Sequence, residues 1–333
     1  MNSLSYLAAQ NLLFCKGQEH LETILPAVRT QLKKHGHCVV QMWDLTEAPL
    51  ITLRNCLGRG QLHIRASHNG VATISPDALP TKTLDESHYF ASSSRKHPLH
   101  TDGAYLNGFL LKGDVLTRVG PPAVVLIQCV RVSHNGGTNI VIDAQKILRD
   151  LLIRTPEVAK ILLSPGCVSF CRDDHMALDV PVYERLSVDR WRLRFRCDET
   201  VYLSEWAYDA IQHLHDYYLS SAQYQQHFDL QEGQILLLDN FRVLHGREAF
   251  SLDAEHNRFF RRAWIQDDNN SQVLFNYCNS SRNCRAFERY AFYGAATQSN
   301  TKPDCLLDLG IRLPSDLRAI VDEQISPALP KAA

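Results

Sequence analysis

The sequence has no run of basic residues: 35 Lys+Arg stand against 36 Asp+Glu, for a formal net charge of −1. A surface that holds a phosphate backbone needs clustered Lys and Arg, so no nucleic-acid partner is expected. Nor does any stretch reach the roughly 18 consecutive apolar residues of a membrane span. The longest apolar runs, around Ala123–Val130 and Ile235–Leu238, read as buried strands, and no membrane partner is expected. Met1 to Leu13 lacks a cationic start followed by an apolar run, which predicts an unexported, cytoplasmic protein. Cys-x-x-Cys pairs are missing too. The ten cysteines include two close pairs, Cys167/Cys171 and Cys278/Cys284, without partner pairs at zinc-ribbon spacing. Packed, reduced thiols are expected rather than disulfides or a structural zinc. With no repeat and no low-complexity tract, a single domain over 1–333 is the simplest organisation, and the chain is long enough to bury a sizeable core.

Leu21 to Lys34 carries apolar residues at helical spacing, and the following HGHCVVQMW reads as a strand. Gln61 to Ile74 places Asn69-Gly70 between two alternating runs, a strong hairpin signal. Pro80 to Lys96 is polar and reads as loop. Strands are expected at Ala123–Val132, Asn139–Asp143, Trp191–Cys197, Gln234–Asp239 and Arg258–Gln266, with helices at Ala144–Leu163 and Glu205–His227. Strands dominate and helices are inserted among them, so the expected class is mainly β with flanking helices (α+β), a sandwich or barrel rather than alternating βαβ units. Beyond about residue 268, Asn/Ser-rich turns precede a weak helix near Ser315–Gln324. In Asp189–Cys197 the arginines 190, 192, 194 and 196 alternate with Trp191, Leu193 and Phe195. That pattern predicts a half-buried strand with a wet arginine face, or else a face for an anionic substrate. The aromatics of Tyr202–Tyr224 are expected to pack inward from an amphipathic helix, the other reading being a pocket for a cation.

His100-Thr-Asp102 is the first feature with chemistry in it. Residues two apart on a strand share a face, so one imidazole and one carboxylate can grip a single ion. A third ligand, His245, completes a 2-His-1-carboxylate set with open positions on iron. The dipeptide spacing alone carries little information. Chance gives about one His-x-Asp at this composition and there are two, the second being His227-Phe-Asp229, which reads as a polar turn. Context distinguishes the first copy. In LLLDNFRVLHGREAF a short apolar strand ends in a turn that delivers His245 beside Gly246, and Arg258 and Arg262 follow at 13 and 17 residues. On a regular strand those two guanidiniums share a face with Phe260 between them, an arrangement suited to a dicarboxylate. A bulge would exchange Arg261 for Arg262. Between the halves, His134-Asn-Gly-Gly-Thr138 supplies a glycine turn and a hydroxyl.

The ordered motifs HTDGAY, NGGTNIVIDA, LLLDNFRVLHGREAF and RFFRRAWI resemble the taurine dioxygenase and γ-butyrobetaine hydroxylase family of Fe(II)/2-oxoglutarate oxygenases. The likeness spans about residues 61–268, leaving 269–333 as a C-terminal extension. The resemblance implies a double-stranded β-helix (jelly-roll) core. It implies His100, Asp102 and His245 as ligands of catalytic iron, with 2-oxoglutarate and O2 as co-substrates. Arg258 then pairs with the distal carboxylate of 2-oxoglutarate, Thr138 donates a hydrogen bond to it, and Arg262 lies near the chelating end. Tyr105 and Asn107, just after the metal motif, are expected to touch substrate. The implied activity is oxidation, foremost hydroxylation, of an unactivated aliphatic C–H bond in a small amino-acid-like metabolite, free or tethered to a carrier protein. 2-Oxoglutarate is decarboxylated to succinate and CO2. Desaturation or cyclisation in natural-product biosynthesis is the alternative within the class. A zinc jelly-roll hydrolase or isomerase, or a non-catalytic ligand-binding module, is the alternative outside it.

Overall fold

The computed structural model describes residues 12–17, 20–61, 66–78, 91–106, 108–112, 115–172, 175–186, 191–198, 200–253, 257–267 and 273–276. The helix expected near Ser315–Gln324 lies outside them. The chain divides into two compact units, each gathered from three separate stretches. Residues 1–100, 122–142 and 225–266 form the first; residues 101–121, 143–224 and 267–333 form the second.

The first unit opens as its sequence predicts. Helix α1 (Leu21–His35) buries Leu21, Val28 and Leu32 on one stripe. It stops at Gly36, whose left-handed backbone (φ 75) lets its N–H cap the Leu32 carbonyl. Strand β2 (His37–Gln41) follows and is buried along its whole length; β1 (Leu12–Phe14) runs parallel to it. Helix α2 (Ala48–Leu57) leads to β3 (Gly60–Gln61) and β4 (Val71–Ile74). A seven-stranded sheet forms in the order β1-β2-β16-β8-β18-β3, with β4 also on β18. Here β8 is Val124–Arg131, β16 is Gln234–Asp239 and β18 is Phe259–Ile265. β16 sits centrally, Leu236 opposite both Val39 and Ile127, and successive residues Ile235–Leu238 are all buried, so both faces are covered and the apolar run is unbroken. A four-stranded sheet has the order β15-β9-β17-β5, made of Gln225–Phe228, Asn139–Asp143, Val243–Arg247 and His97–His100.

Asn69-Gly70 forms the expected turn, with Gly70 at φ 81, its N–H on the Ser67 carbonyl and Ser67 N on the Val71 carbonyl. Residues 62–65, most of the first arm of the expected hairpin, lie outside the described residues. β3 and β4 both pair with β18 (Gln61 with Trp264, Thr73 with Arg261).

The second unit holds α3 (Ala144–Arg154), capped by the Asp143 carboxylate accepting from Gln145 N, and α4 (Pro156–Leu162). The sequence pattern joins them as one helix. Pro156 cannot donate within a helix and instead starts a new one at its first position. Three small antiparallel sheets complete the unit: β10 (Val168–Arg172) between β11 (His175–Val180) and β14 (Val201–Leu203), the pair β12 (Tyr183–Arg185) and β13 (Trp191–Leu193), and β6 (Gly108–Lys112) with β7 (Val115–Val119) and β19 (Val273–Asn276).

Three expectations fail in or beside this unit. Arg192, Arg194 and Arg196 do not form a wet face: all three are buried, as are Trp191, Leu193 and Phe195. Arg190 lies outside the described residues. The helix expected over Glu205–His227 is α5 (Tyr208–Leu214) plus one π-turn (His215–Leu219), and His227 lies on β15. Its core-facing stripe is filled by Ala207, Ala210, Ile211, Leu214 and Tyr218, so the off-stripe aromatics Trp206, Tyr208 and Tyr217 stay more than half exposed. Among the described residues no helix is long and apolar enough to cross a membrane. The seven described cysteines are unbridged.

Candidate active site

β5 and β17 pair antiparallel with His100 directly opposite His245. Direct cross-strand partners bring their side chains together on one face, and the two imidazole centroids lie 4.2 Å apart. The chain then leaves β5 through a turn at Asp102–Tyr105, with Gly103 at φ 66. His100, Asp102 and His245 are all buried, and one ligand atom from each lies within 4.8 Å of the others. The His100 Nδ1 is 2.8 Å from the Pro98 carbonyl. A carbonyl only accepts, so Nδ1 carries the proton and Nε2 keeps its lone pair as the ligand atom. Two imidazoles and a carboxylate, with one ring already fixed in the ligating tautomer, are a donor set that fits Fe(II). Gly246 between His245 and Arg247 is required by close approach. A Cβ there would stand 2.9 Å from the His97 carbonyl oxygen. Arg247 ties the strand down by donating to the Ser93, Arg95 and Glu248 carbonyls.

Thr138 and Arg258 meet elsewhere in the first unit, in a cavity of about 260 Å³. Ser133, His134, Asn139, Asp229 and Phe260 also line it. The Gly136-Gly137 turn places Thr138. Both glycines have positive φ, and a Cβ on Gly136 would collide with the Ala249 carbonyl at 2.3 Å. That close pass lets Gly137 N donate to Ala249 O and Glu248 N donate to Thr138 O. Arg258 lies 3.5 Å above the Phe260 ring centroid and 5.8 Å from that of Phe250. Its residue is only 6% exposed. Burial, helped by the like charge of Arg247 and opposed by Cys129, lowers its pKa to about 9. It makes no hydrogen bond or ion pair with any described residue. A buried guanidinium without a carboxylate is a receptor for one.

The remaining predicted residues separate. Arg261 turns away from the Phe260 face and donates to the Leu45 carbonyl at 2.5 Å. Arg262 stacks on Trp264, its guanidinium carbon 5.2 Å from the ring centroid. Tyr105 is buried beneath Arg172, 5.5 Å from guanidinium carbon to ring centroid, and Asn107 lies outside the described residues. His227 bonds Gln225 at 2.7 Å and holds no place near the His100 cluster, whereas Asp229 lines the Arg258 cavity. Pro98 and Arg247 carry no signal of their own in the sequence beyond closeness to the histidines.

The fold has counterparts among solved proteins. Asparagine oxygenase has a similar structure (TM-score 0.55, 15% identity, 75% of this chain and 78% of that one). The non-heme iron oxygenase OrfP, solved in complex with Fe and α-ketoglutaric acid, is similar as well (TM-score 0.54, 16% identity, 76% and 85%). The protein is a non-heme Fe(II)/2-oxoglutarate-dependent dioxygenase, with O2 as the oxidant. It belongs to the taurine catabolism dioxygenase TauD, TfdA family, which matches residues 4–264. The zinc hydrolase and the non-catalytic module fall away with that membership.

Proposed function

We propose that the protein hydroxylates an unactivated aliphatic C–H bond of a small amino-acid-like metabolite, with His100, Asp102 and His245 holding the iron. The single observation that carries this reading is the buried cluster of those three residues, all ligand atoms within 4.8 Å. Bound there, Fe(II) supplies the oxidising chemistry that couples decarboxylation of 2-oxoglutarate to succinate and CO2 with attack on the substrate. The protein's own groups bind and orient. Arg258 offers its guanidinium fork to the distal carboxylate of 2-oxoglutarate, and Thr138 donates its hydroxyl to the same group. Arg262 is assigned to the chelating end, on the strand face it shares with Phe260. Tyr105 and Asn107 are assigned to substrate. Burial around His100 and Asp102 keeps bulk water from the reacting centre.

The amino-acid class rests on kinship of fold. Asparagine oxygenase has been solved with 3-hydroxyasparagine and succinate, and OrfP with L-Arg. A jelly-roll core and one oxygenase domain over 1–333 belong to the same reading. So do a cytoplasmic location and a substrate either free or carried by a protein. Anaerobic titration of 2-oxoglutarate into Fe(II)-loaded protein tests the core of it. A visible charge-transfer band is expected in the parent and not in His100→Ala. Iron bound without a band would overturn the co-substrate assignment.

A further inference from the structure

The arginine-rich segment Trp191–Cys197 is not used by the reaction, yet it is buried. Arg194 is 1% exposed and donates through Nη1 to the carbonyls of Ala104 (3.0 Å) and Leu106 (2.9 Å). Its Nε donates to Glu184 at 3.2 Å, and Arg192 donates to the same carboxylate oxygen at 2.9 and 2.7 Å. The neighbouring backbone grips the other end of the turn. Thr101 N donates to Phe195 O at 2.9 Å, and Phe195 N donates to Thr101 Oγ1 at 3.2 Å. Arg196, bonded to Asp198 through both Nε and Nη2, feels the charge of Asp102.

Buried ion networks of this kind are generally no more stable than an apolar replacement of equal volume. A cation here serves a purpose an apolar residue cannot. The turn 101–106 is fully buried, and its inward carbonyls need donors. A guanidinium reaches two of them while staying paired to a carboxylate, whereas a lysine ammonium is a single point.

We propose that Arg194, oriented by Glu184, is a positioning residue that clasps the turn Thr101–Leu106 and so presents the Asp102 carboxylate to the metal. The inference rests on the reading of Asp102 as a ligand. Mn(II), which takes the same nitrogen and oxygen donors, is the probe, titrated into the full-length protein with free ion read by electron paramagnetic resonance. Arg194→Lys is expected to weaken Mn(II) binding about tenfold, the usual effect of removing an outer support of a ligand. Arg192→Gln removes a partner of Glu184 without touching the turn, and is expected to leave the affinity within about twofold of wild type. Thr101→Val, of nearly unchanged shape, loosens the other half of the clasp and is expected to weaken binding about threefold even if Arg194→Lys does not fold. Wild-type affinity in folded Arg194→Lys, or in Thr101→Val when Arg194→Lys does not fold, overturns the proposal. So does an equal loss in Arg192→Gln. Asp102→Ala separates the two levels: if it leaves Mn(II) affinity unchanged, the ligand assignment itself is wrong.

Discussion

Arg258 stands in the fold as a charge waiting for its counter-ion, and that sets what its removal does. A charge-assisted hydrogen-bonded pair contributes roughly 1.5–3 kcal/mol. Arg258→Ala is therefore expected to raise the KM for 2-oxoglutarate about ten- to a hundredfold, with kcat at saturation changed much less, as measured by succinate formation. An unchanged KM would remove Arg258 from the co-substrate site. Its titration adds a second signature. The carboxylate binds the protonated guanidinium, whose pKa burial and Arg247 bring down to about 9. The KM for 2-oxoglutarate should accordingly be flat from pH 7 to 8 and rise above pH 9. Around that guanidinium stand Arg247, Cys129, and the cavity residues His134 and Asp229. Arg258→Lys, with a lower intrinsic charge delocalisation and no fork, would keep only part of the affinity. Thr138 and Arg258, proposed here for the co-substrate, are singled out in the sequence by the family resemblance of their motifs. That Arg258 is buried with no carboxylate partner among the described residues could not be read there, because burial is a property of neighbours.

Among the elements, the pairing of β5 with β17 matters most, because it alone sets His100 opposite His245. Its tightest point is Gly246. Adding a methyl there forces the strand from the His97 carbonyl, at a cost of about 1–3 kcal/mol for overpacking. Gly246→Ala is expected to lower the urea midpoint accordingly and to weaken Mn(II) binding in the same protein; full stability with full affinity would show that the strands do not meet so closely. Elements with a single dominant signal were legible: α1, β2, β9 and β16 fall where periodicity and apolar runs put them. The Trp191–Cys197 segment was misread. Alternating arginines carry the pattern of a wet face, and only the placement of Glu184 against Arg192 and Arg194 and of Asp198 against Arg196 shows that the charge of these three is met inside. Glu184 itself illustrates the balance: burial pushes its carboxyl up, but Arg192 and Arg194 outweigh that and hold it below the usual range.

For the whole protein, ligands that bind only the folded state stabilise it by mass action, about 2.7 kcal/mol at a hundred times Kd. Mn(II) and 2-oxoglutarate together should raise the melting temperature by several degrees, roughly 2–4 °C per kcal/mol for a chain somewhat smaller than this one. Arg258→Met sharpens the test. Removing a buried cation that has no carboxylate partner among the described residues relieves its desolvation, so the metal-free variant is expected to melt no lower than wild type, while 2-oxoglutarate no longer protects it. Protection that survives the substitution would place the co-substrate elsewhere. The sequence by itself pointed to the enzyme class, because four motifs in order, HTDGAY, NGGTNIVIDA, LLLDNFRVLHGREAF and RFFRRAWI, resemble one family. It also determined the principal strands, whose apolar patterns are local. Only the tertiary structure decided that His100 faces His245 and that Arg258 lines one cavity with Thr138, with no carboxylate partner among the described residues. It alone buried the arginines of 192–196 against the metal turn. Each of these depends on which distant backbone comes alongside, and local pattern carries no record of that pairing.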